Sequence, residues 1–389
     1  VHIHAGLEKR KMYINFWYPV ALCSELTINT PIRTQVLGVK VAVFRDVEGN
    51  PRVVSDACVH RGASLGKGKV KDGNIICPYH GWAYDGDGKC VQIPSLMWTD
   101  DKIPSRAKVD SYPVQEKYGI IFAFLGYLPE EERPPIWHVE EFDDPEWRAC
   151  DINVFDVDYH YERSVENGLD PSHNQYVHPN QGAPVPKRDY RKDPIEIIKE
   201  DWGSKFTLEF KREAKGLLGD KTEGASRDEE GETIIAGSGH MGPNQLVTWI
   251  YPQENQKFRQ YFFEAPIDEN RTRIFFLTTR SFMIDPDMDE DIMDINMQIA
   301  KEDVDVVKEI DPIRTPTSPT KELLMPADAP ALSYRQYLKR WEDNGWKIDI
   351  KKYREMVGDV AMAIPSPERK TTKGWVIDEI PLVQPKQGA

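Results

Sequence analysis

The first 130 residues alternate between short β-branched or aromatic runs and glycine-containing breaks. The runs lie at 34–37, 40–45, 52–55, 74–77 and 120–125; the breaks carry Gly38, Gly49, Gly73, Gly86 and Gly88. Many strand-sized runs at close spacing predict a small barrel or sandwich. Residues 130–135, Glu-Glu-Glu-Arg-Pro-Pro, predict a boundary. Beyond it, 158–177 predicts a helix broken or bent at Asp170-Pro171, because proline removes a helical donor and restricts the residue before it. Segments 205–210, 246–251, 258–264 and 272–282 alternate like antiparallel strands. Residues 213–232 are polar and glycine-containing, and 220–232 hold six acidic against two basic residues, which predicts a mobile surface loop. Helical periodicity over 287–310 nominates Ile292, Ile295, Ile299, Val306 and Ile310 for the core. Residues 312–330 hold five prolines and predict a stiff irregular connection. A last helix over 331–346 carries Tyr334, Leu338 and Trp341 on one face, and 365–389 reads as an extended tail. The expected class is α+β.

Composition narrows the field without reaching function. With 50 basic and 64 acidic residues in 389, the formal charge is −14 and no basic block stands out, which argues against a nucleic-acid partner. No run approaches the length of a membrane span. The start of the chain lacks an apolar signal region, and five cysteines do not make a disulfide framework. A cytoplasmic protein is expected. No glycine-rich dinucleotide fingerprint follows a strand, and no four-cysteine ferredoxin spacing occurs.

The placement of Cys and His says more. Cys58-Val59-His60 precedes Cys77-Pro78-Tyr79-His80 in the pattern C-x-H-x16-C-x2-H. Two thiolates and two imidazoles could hold a zinc ion. The context, Cys58-Val59-His60-Arg61-Gly62 and Cys77-Pro78-Tyr79-His80-Gly81-Trp82, favours a [2Fe–2S] cluster with two cysteines on one iron and two histidines on the other. Gly62 and Gly81 let amide N–H groups approach the sulfurs. These half-motifs resemble the Rieske family, specifically its oxygenase branch. The likeness also takes in Asn15-Phe16-Trp17-Tyr18-Pro19-Val20, Tyr84-Asp85-Gly86-Asp87-Gly88-Lys89-Cys90 and Tyr118-Gly119-Ile120-Ile121-Phe122. It implies that Cys58 and Cys77 bind one iron and that His60 and His80 bind the other. Cys23, Cys90 and Cys150 match no ligand position and read as small buried hydrophobes.

A second group, Asn167, Asp170, His173 and His178, lies in the segment broken at Pro171. Two imidazoles and one carboxylate on one face, with positions left open, form the non-haem Fe(II) arrangement for O2 chemistry. On spacing, Asp170 is the carboxylate nearest in sequence. The stretch, N-x2-D-P-x-H-x4-H, resembles the oxygenase subunits of Rieske non-haem iron oxygenases. That resemblance implies iron on His173 and His178, with a carboxylate from a late helix. Asp303 falls on the ligand position there, Asp305 is the fallback, and Glu302 is expected to face elsewhere. It further implies that Asp170 bridges by hydrogen bonds between its own His173 and the partner subunit's His80, offering a short polar path for an electron. Asn167 is assigned to the same catalytic neighbourhood.

The resemblance extends from about Asn15 to Trp341. It implies a β-rich Rieske domain at 14–134 and a catalytic domain at 135–389, with a central antiparallel sheet flanked by helices and with 1–13 and 365–389 peripheral. Walls of a substrate pocket are sought among Leu208, Val247, Trp249, Phe262, Phe275 and Phe282, most of them expected in the core. His240-Met241-Gly242-Pro243-Asn244 reads as a turn at the pocket rim. The implied protein is the terminal component of a homotrimeric oxygenase. It would use O2 and electrons from NAD(P)H through a separate reductase, with or without a ferredoxin. It would hydroxylate, dihydroxylate or demethylate a small hydrophobic, aromatic or polycyclic substrate. The alternative is a Rieske electron carrier fused to a binding domain.

Overall fold

The apolar runs of the first 125 residues fold as eleven short strands. In the computed structural model, which describes residues 11–178, 194–212, 232–253, 255–316 and 318–386, the chain forms two units. One comprises Val1–Pro135, Ala265–Glu269 and Arg340–Ala389; the other comprises Ile136–Glu264 and Asn270–Lys339. No helix of the described residues is long and apolar enough to cross a membrane.

In the first unit, β1 (Phe16–Leu22), β2 (Ile32–Val36), β3 (Val39–Arg45), β4 (Pro51–Ser55), β5 (Lys69–Lys71), β6 (Asn74–Ile76), β7 (Ala83–Tyr84), β8 (Cys90–Gln92), β9 (Ser111–Tyr112), β10 (Val114–Lys117) and β11 (Ile120–Leu125) make three sheets. Their orders are β1-β11-β10, β2-β3-β4-β9 and β5-β6-β7-β8. All six residues of β11 are buried. A strand covered on both faces loses the apolar–polar alternation of a half-buried one, and 120–125 reads as a continuous apolar run for that reason.

The second unit contains β12 (Arg148–Ala149), β13 (Asn153–Val157), α1 (Tyr161–Gly168), α2 (Asn174–Val177), β14 (Ile198–Lys199), β15 (Gly203–Arg212), β16 (Glu232–Met241), β17 (Gln245–Gln253), β18 (Gln256–Pro266), β19 (Thr272–Arg280) and α3 (Asp289–Val307). Its eight-stranded sheet runs β12-β19-β18-β17-β16-β15-β14, with β13 also on β19.

Strand β16 was not foreseen. Its sequence, Glu-Thr-Ile-Ile-Ala-Gly-Ser-Gly-His-Met, has weak strand propensity. Tertiary packing accounts for the glycine at 237, where a Cβ would lie 2.5 Å from the Trp249 ring and 2.2 Å from the Phe206 carbonyl oxygen. The loop expected at 213–232 lies outside the described residues up to 231. His240 sits on β16 and is buried, rather than at a pocket rim. Its Nδ1–H donates to the Gly242 carbonyl at 3.1 Å, its Nε2 accepts from Ser204 Oγ at 3.1 Å, and Tyr334 and Tyr337 flank the ring edge-on. Burial pushes this imidazole down to about 4.

Helix α3 also departs from the expected core. Val306 is 48% exposed, and Ile310, which lies past the end of the helix, is 38% exposed. The inward stripe is Ile292, Asn296, Ile299, Asp303 and Val307, with Ile292, Asn296 and Val307 buried and Ile299 and Asp303 on a cavity. Two polar residues occupy inward positions, so a stripe sought by hydrophobicity rotates away from them.

The C-terminal segment is not a peripheral tail. After α4 (Ala329–Asp343) and α5 (Ile350–Met356), β20 (Met362–Ala363) pairs in parallel with β21 (Asp378–Glu379). Trp341 is fully buried edge-on against Phe16 at 4.7 Å, and Ile377 and Ile380 are buried. The fully buried Asp110 carboxylate accepts from Arg369 Nε and Nη2, each at 2.7 Å, and from Ser366 N and Oγ at 3.1 and 2.8 Å. A buried anion needs its cation; proline content and terminal position carry no sign of that tie.

Arg369→Met strands the Asp110 charge. It is expected to cost roughly 3–5 kcal/mol in denaturant unfolding, and Asp110→Asn added to it is expected to recover a substantial part. His240 makes a pH prediction. Its folded pKa lies below the unfolded value, so the unfolded chain takes up the proton first. Stability from this group is complete above about 6.5 and falls as pH drops towards 4. Urea midpoints measured from pH 7 to 4.5 are expected to decline, and less steeply in His240→Gln.

Candidate metal centres and the adjoining pocket

Two loops of the first unit repeat one shape. After β4, Gly62 N–H donates to Cys58 O at 2.8 Å and Cys58 N–H to Ala63 O at 2.9 Å. Between β6 and β7, Gly81 N–H donates to Cys77 O at 3.1 Å and Cys77 N–H to Trp82 O at 2.8 Å. Each turn closes on a glycine, at φ +71° and +70°, a backbone that other residues rarely adopt. The shape buries Cys58 and Cys77 and leaves His60 and His80 exposed, ring centroids 4.4 Å apart. Trp82 stacks on His60 at 4.8 Å, and the Tyr84 hydroxyl lies 3.1 Å from Cys58 Sγ. Burial raises the Cys58 thiol, and the Tyr84 hydrogen bond works against it.

These four residues contain no set of three whose ligand atoms lie within 4.8 Å of one another; among the described residues only one such trio exists, and it lies elsewhere. A single tetrahedral zinc would draw its ligands to roughly 3.3–3.8 Å apart. Two sulfurs inside and two imidazoles outside, on separate loops, fit a larger two-iron group.

The second unit supplies the converging trio, His173, His178 and Asp303. Helix α1 ends at Gly168, and Asp170-Pro171-Ser172 turns the chain before α2. His173 and His178 flank α2 with ring centroids 5.4 Å apart. His173 Nδ1 lies 2.9 Å from the Asp170 main-chain carbonyl, and His178 Nδ1 lies 2.9 Å from Glu302 Oε2. A carbonyl and a carboxylate accept, so both rings carry their proton on Nδ1. Both Nε2 lone pairs then point to Asp303 Oδ1, at 3.4 Å from His173 and 3.2 Å from His178. That oxygen is buried without a hydrogen-bond partner. Two lone pairs facing an orphaned carboxylate oxygen are repulsive unless a cation lies between them, so the donor set fits a divalent metal with positions left open. Burial would raise the Asp303 carboxyl; hydrogen bonds and charge from the two rings when their Nε2 is also protonated outweigh it and hold it below the usual carboxylate range, a role that a cation takes when the rings are neutral. Burial would likewise lower His178, and Asp303 and Glu302 outweigh it.

Other expected residues fall around this trio. Asp170 does not hand its carboxylate to its own His173: Oδ2 stands 3.9 Å from Nδ1, and Oδ1 accepts from Ser172 N at 2.7 Å. The tight turn brings the main-chain carbonyl closer than the side chain can reach. Asn167 lines the cavity one turn earlier. Asp305 faces solvent and pairs with Lys308. Glu302, expected elsewhere, orients His178. Helical spacing puts adjacent residues about 100° apart, which hid that Glu302 and Asp303 could both reach His178, one at each ring nitrogen.

The trio opens on a cavity of about 190 Å³. One sheet face supplies its floor through even-numbered side chains, among them Phe206, Leu208, Leu246, Phe262 and Phe276. Trp249 also lines it. Val247 and Phe275 alternate away and are buried, and Phe282 packs with Phe258 and Ile292.

Residues 16–113 match the Rieske [2Fe-2S] domain family, and residues 157–344 match the vanillate O-demethylase oxygenase C-terminal domain family. The chain is 30% identical to the 3-chlorobenzoate-3,4-dioxygenase oxygenase subunit of Comamonas testosteroni over 46% of this chain, and spans 40% of that relative's length. It is 27% identical to the 4beta-methylsterol monooxygenase of Methylococcus capsulatus, over 68% of this chain and 67% of the relative. The crystal structure of dicamba monooxygenase bound to dicamba superposes with a TM-score of 0.70 at 24% identity, covering 85% of this chain and 98% of that one; this likeness speaks for the fold.

Glu302→Ala removes the group that fixes the His178 tautomer. Metal affinity at the trio, titrated with Co(II) in metal-depleted protein, is expected to fall roughly 10–100-fold, while Asp305→Ala leaves it unchanged. Equal affinities in wild type and Glu302→Ala would exclude the orienting role.

Proposed function

The chain belongs to the Rieske oxygenases, joining a Rieske [2Fe-2S] domain to an oxygenase C-terminal domain, and on that premise we propose that it is a terminal oxygenase component acting on a small hydrophobic, aromatic or polycyclic substrate. The reaction is hydroxylation, dihydroxylation or oxidative demethylation, which share one kind of iron centre and differ in how the substrate lies. The observation that carries the reading is the convergence of His173, His178 and Asp303 on an apolar cavity, in a chain whose Cys58, His60, Cys77 and His80 sit on two matched loops.

When bound, a [2Fe–2S] cluster on those loops supplies single electrons, and Fe(II) on the trio supplies the open coordination positions at which O2 is reduced. The protein's own part is positional. The Asp170 carbonyl and the Glu302 carboxylate hold the Nδ1 protons and aim both Nε2 atoms inward. Asp303 provides the negative charge that offsets a divalent cation. Phe206, Phe262 and Phe276 exclude water and hold an apolar ring beside the trio. Asn167 belongs to the wall on the α1 side.

Electrons come from NAD(P)H through a separate reductase, with or without a ferredoxin. The assembly is a homotrimer closed by a head-to-tail contact. In it, His80 of the partner subunit donates to the Asp170 carboxylate, whose Oδ2 is left over from the local turn. The exposure of His80 and of part of Asp170 supports that pairing.

Iron analysis tests the reading. Three irons per chain and a Rieske-type electron paramagnetic resonance signal after reduction are expected. Asp303→Ala is expected to drop to two irons with that signal unchanged. Two irons per chain in the wild type would instead make the protein an electron carrier.

A further inference from the structure

The floor of the cavity is apolar except for one row. In register across the sheet, Ser238 on β16 faces Thr248 on β17, and Thr248 faces Gln260 on β18. On one side of it runs the row Ala236–Ile250, on the other Leu246–Phe262. The polar row continues onto α3. Thr248 Oγ1 donates to Gln260 Oε1 at 2.9 Å, Gln260 Nε2 donates to Asn296 Oδ1 at 3.1 Å, and Asn296 Nδ2 donates to Thr278 Oγ1 at 3.2 Å. This head-to-tail order fixes which way both amides point. It uses one N–H of each amide, so Gln260 and Asn296 each keep a second.

Ser238, Thr248, Gln260 and Asn296 all line the cavity, where hydrogen bonds count for more than in water. Asn296 precedes Asp303 by seven residues on α3, two turns, or about 10.5 Å along the axis. Ile299 and Ala300 line the wall between them. Among the described residues lining this cavity there is no Lys or Arg, and the carboxylates are Asp170 and Asp303.

The geometry points to a substrate class: an uncharged apolar molecule with one carbonyl or hydroxyl oxygen, held at that oxygen by the spare N–H groups of Gln260 and Asn296. The end of the molecule two helical turns away lies at the metal trio and is the end oxidised. A substrate carboxylate is disfavoured, because its charge would be buried without a cation from the described lining. This inference rests on the oxygenase reading and specifies what that site accepts.

Binding to the holoenzyme without an electron donor tests it, using three probes on one frame: 2-tetralone, tetralin and tetralin-2-carboxylate, followed by calorimetry. The ketone is expected to bind roughly tenfold more tightly than the hydrocarbon, and the carboxylate more weakly than the ketone. Gln260→Leu and Asn296→Leu are each expected to shrink the ketone preference severalfold while tetralin still binds, which reports an intact cavity. If one variant fails to fold, the other and the wild-type series decide. A ketone preference unchanged in the folded variants, a carboxylate that binds best, or no binding of any probe overturns the inference. Iron content is independent of all these outcomes, so three irons per chain with a carboxylate-preferring cavity would sink the substrate class and leave the oxygenase reading standing.

Discussion

Two imidazoles can share one cation with a carboxylate only if both present the same nitrogen to it. Here that condition is met by a pair of hydrogen bonds made on the far side of the rings, to the Asp170 carbonyl and the Glu302 carboxylate. Without them each ring could carry its proton on either nitrogen, and an Nε2–H would face the place a metal must occupy. The electrostatics follow from this arrangement. Two neutral rings that turn their Nε2 lone pairs to Asp303 leave its inner oxygen without a protein donor, so a positive charge, a cation or a second ring proton, is what keeps this buried carboxylate ionised.

The constraint reaches outward into the fold. His173 and His178 face one point because the chain leaves α1, turns through Asp170-Pro171-Ser172 and re-enters a single short turn of helix. Asp303 reaches the same point because α3 presents an inward stripe that is partly polar, and Glu302 beside it reaches the far nitrogen of His178. That stripe also carries Asn296 to the sheet. A one-residue slip of β17 against β18 would turn Thr248 away from the cavity and bring Val247 into it. The register that builds the apolar floor therefore also sets its single polar row.

The paired loops of the first unit meet a different demand. Their hydrogen bonds are local, each loop closing on its own glycine, so their form is independent of distant packing. What the surrounding sheets add is burial of the sulfurs and the Tyr84 hydroxyl beside Cys58.

The residues whose roles depend on neighbours in sequence were legible from the chain alone. C-x-H and C-x2-H with their glycines, the break at Asp170-Pro171, the strands of alternating residues and the Tyr334–Leu338–Trp341 face all announce themselves over a few positions. Asp303 was reached by resemblance, since nothing in its own surroundings marks it among the acids of α3. Glu302, β16, the buried His240 and the tie from Asp110 to Arg369 were not legible. Each depends on a partner more than thirty residues away or on a neighbour's shape: a glycine under the Trp249 ring, a carboxylate meeting an imidazole across 124 positions, an anion waiting for a late arginine. Periodicity and spacing are properties of one segment, and they marked most of the elements and the two Cys–His loops. Which polar side chain faces inward, and whom it meets there, is decided only when segments pack, because the cost of burying it is set by the partner that packing supplies.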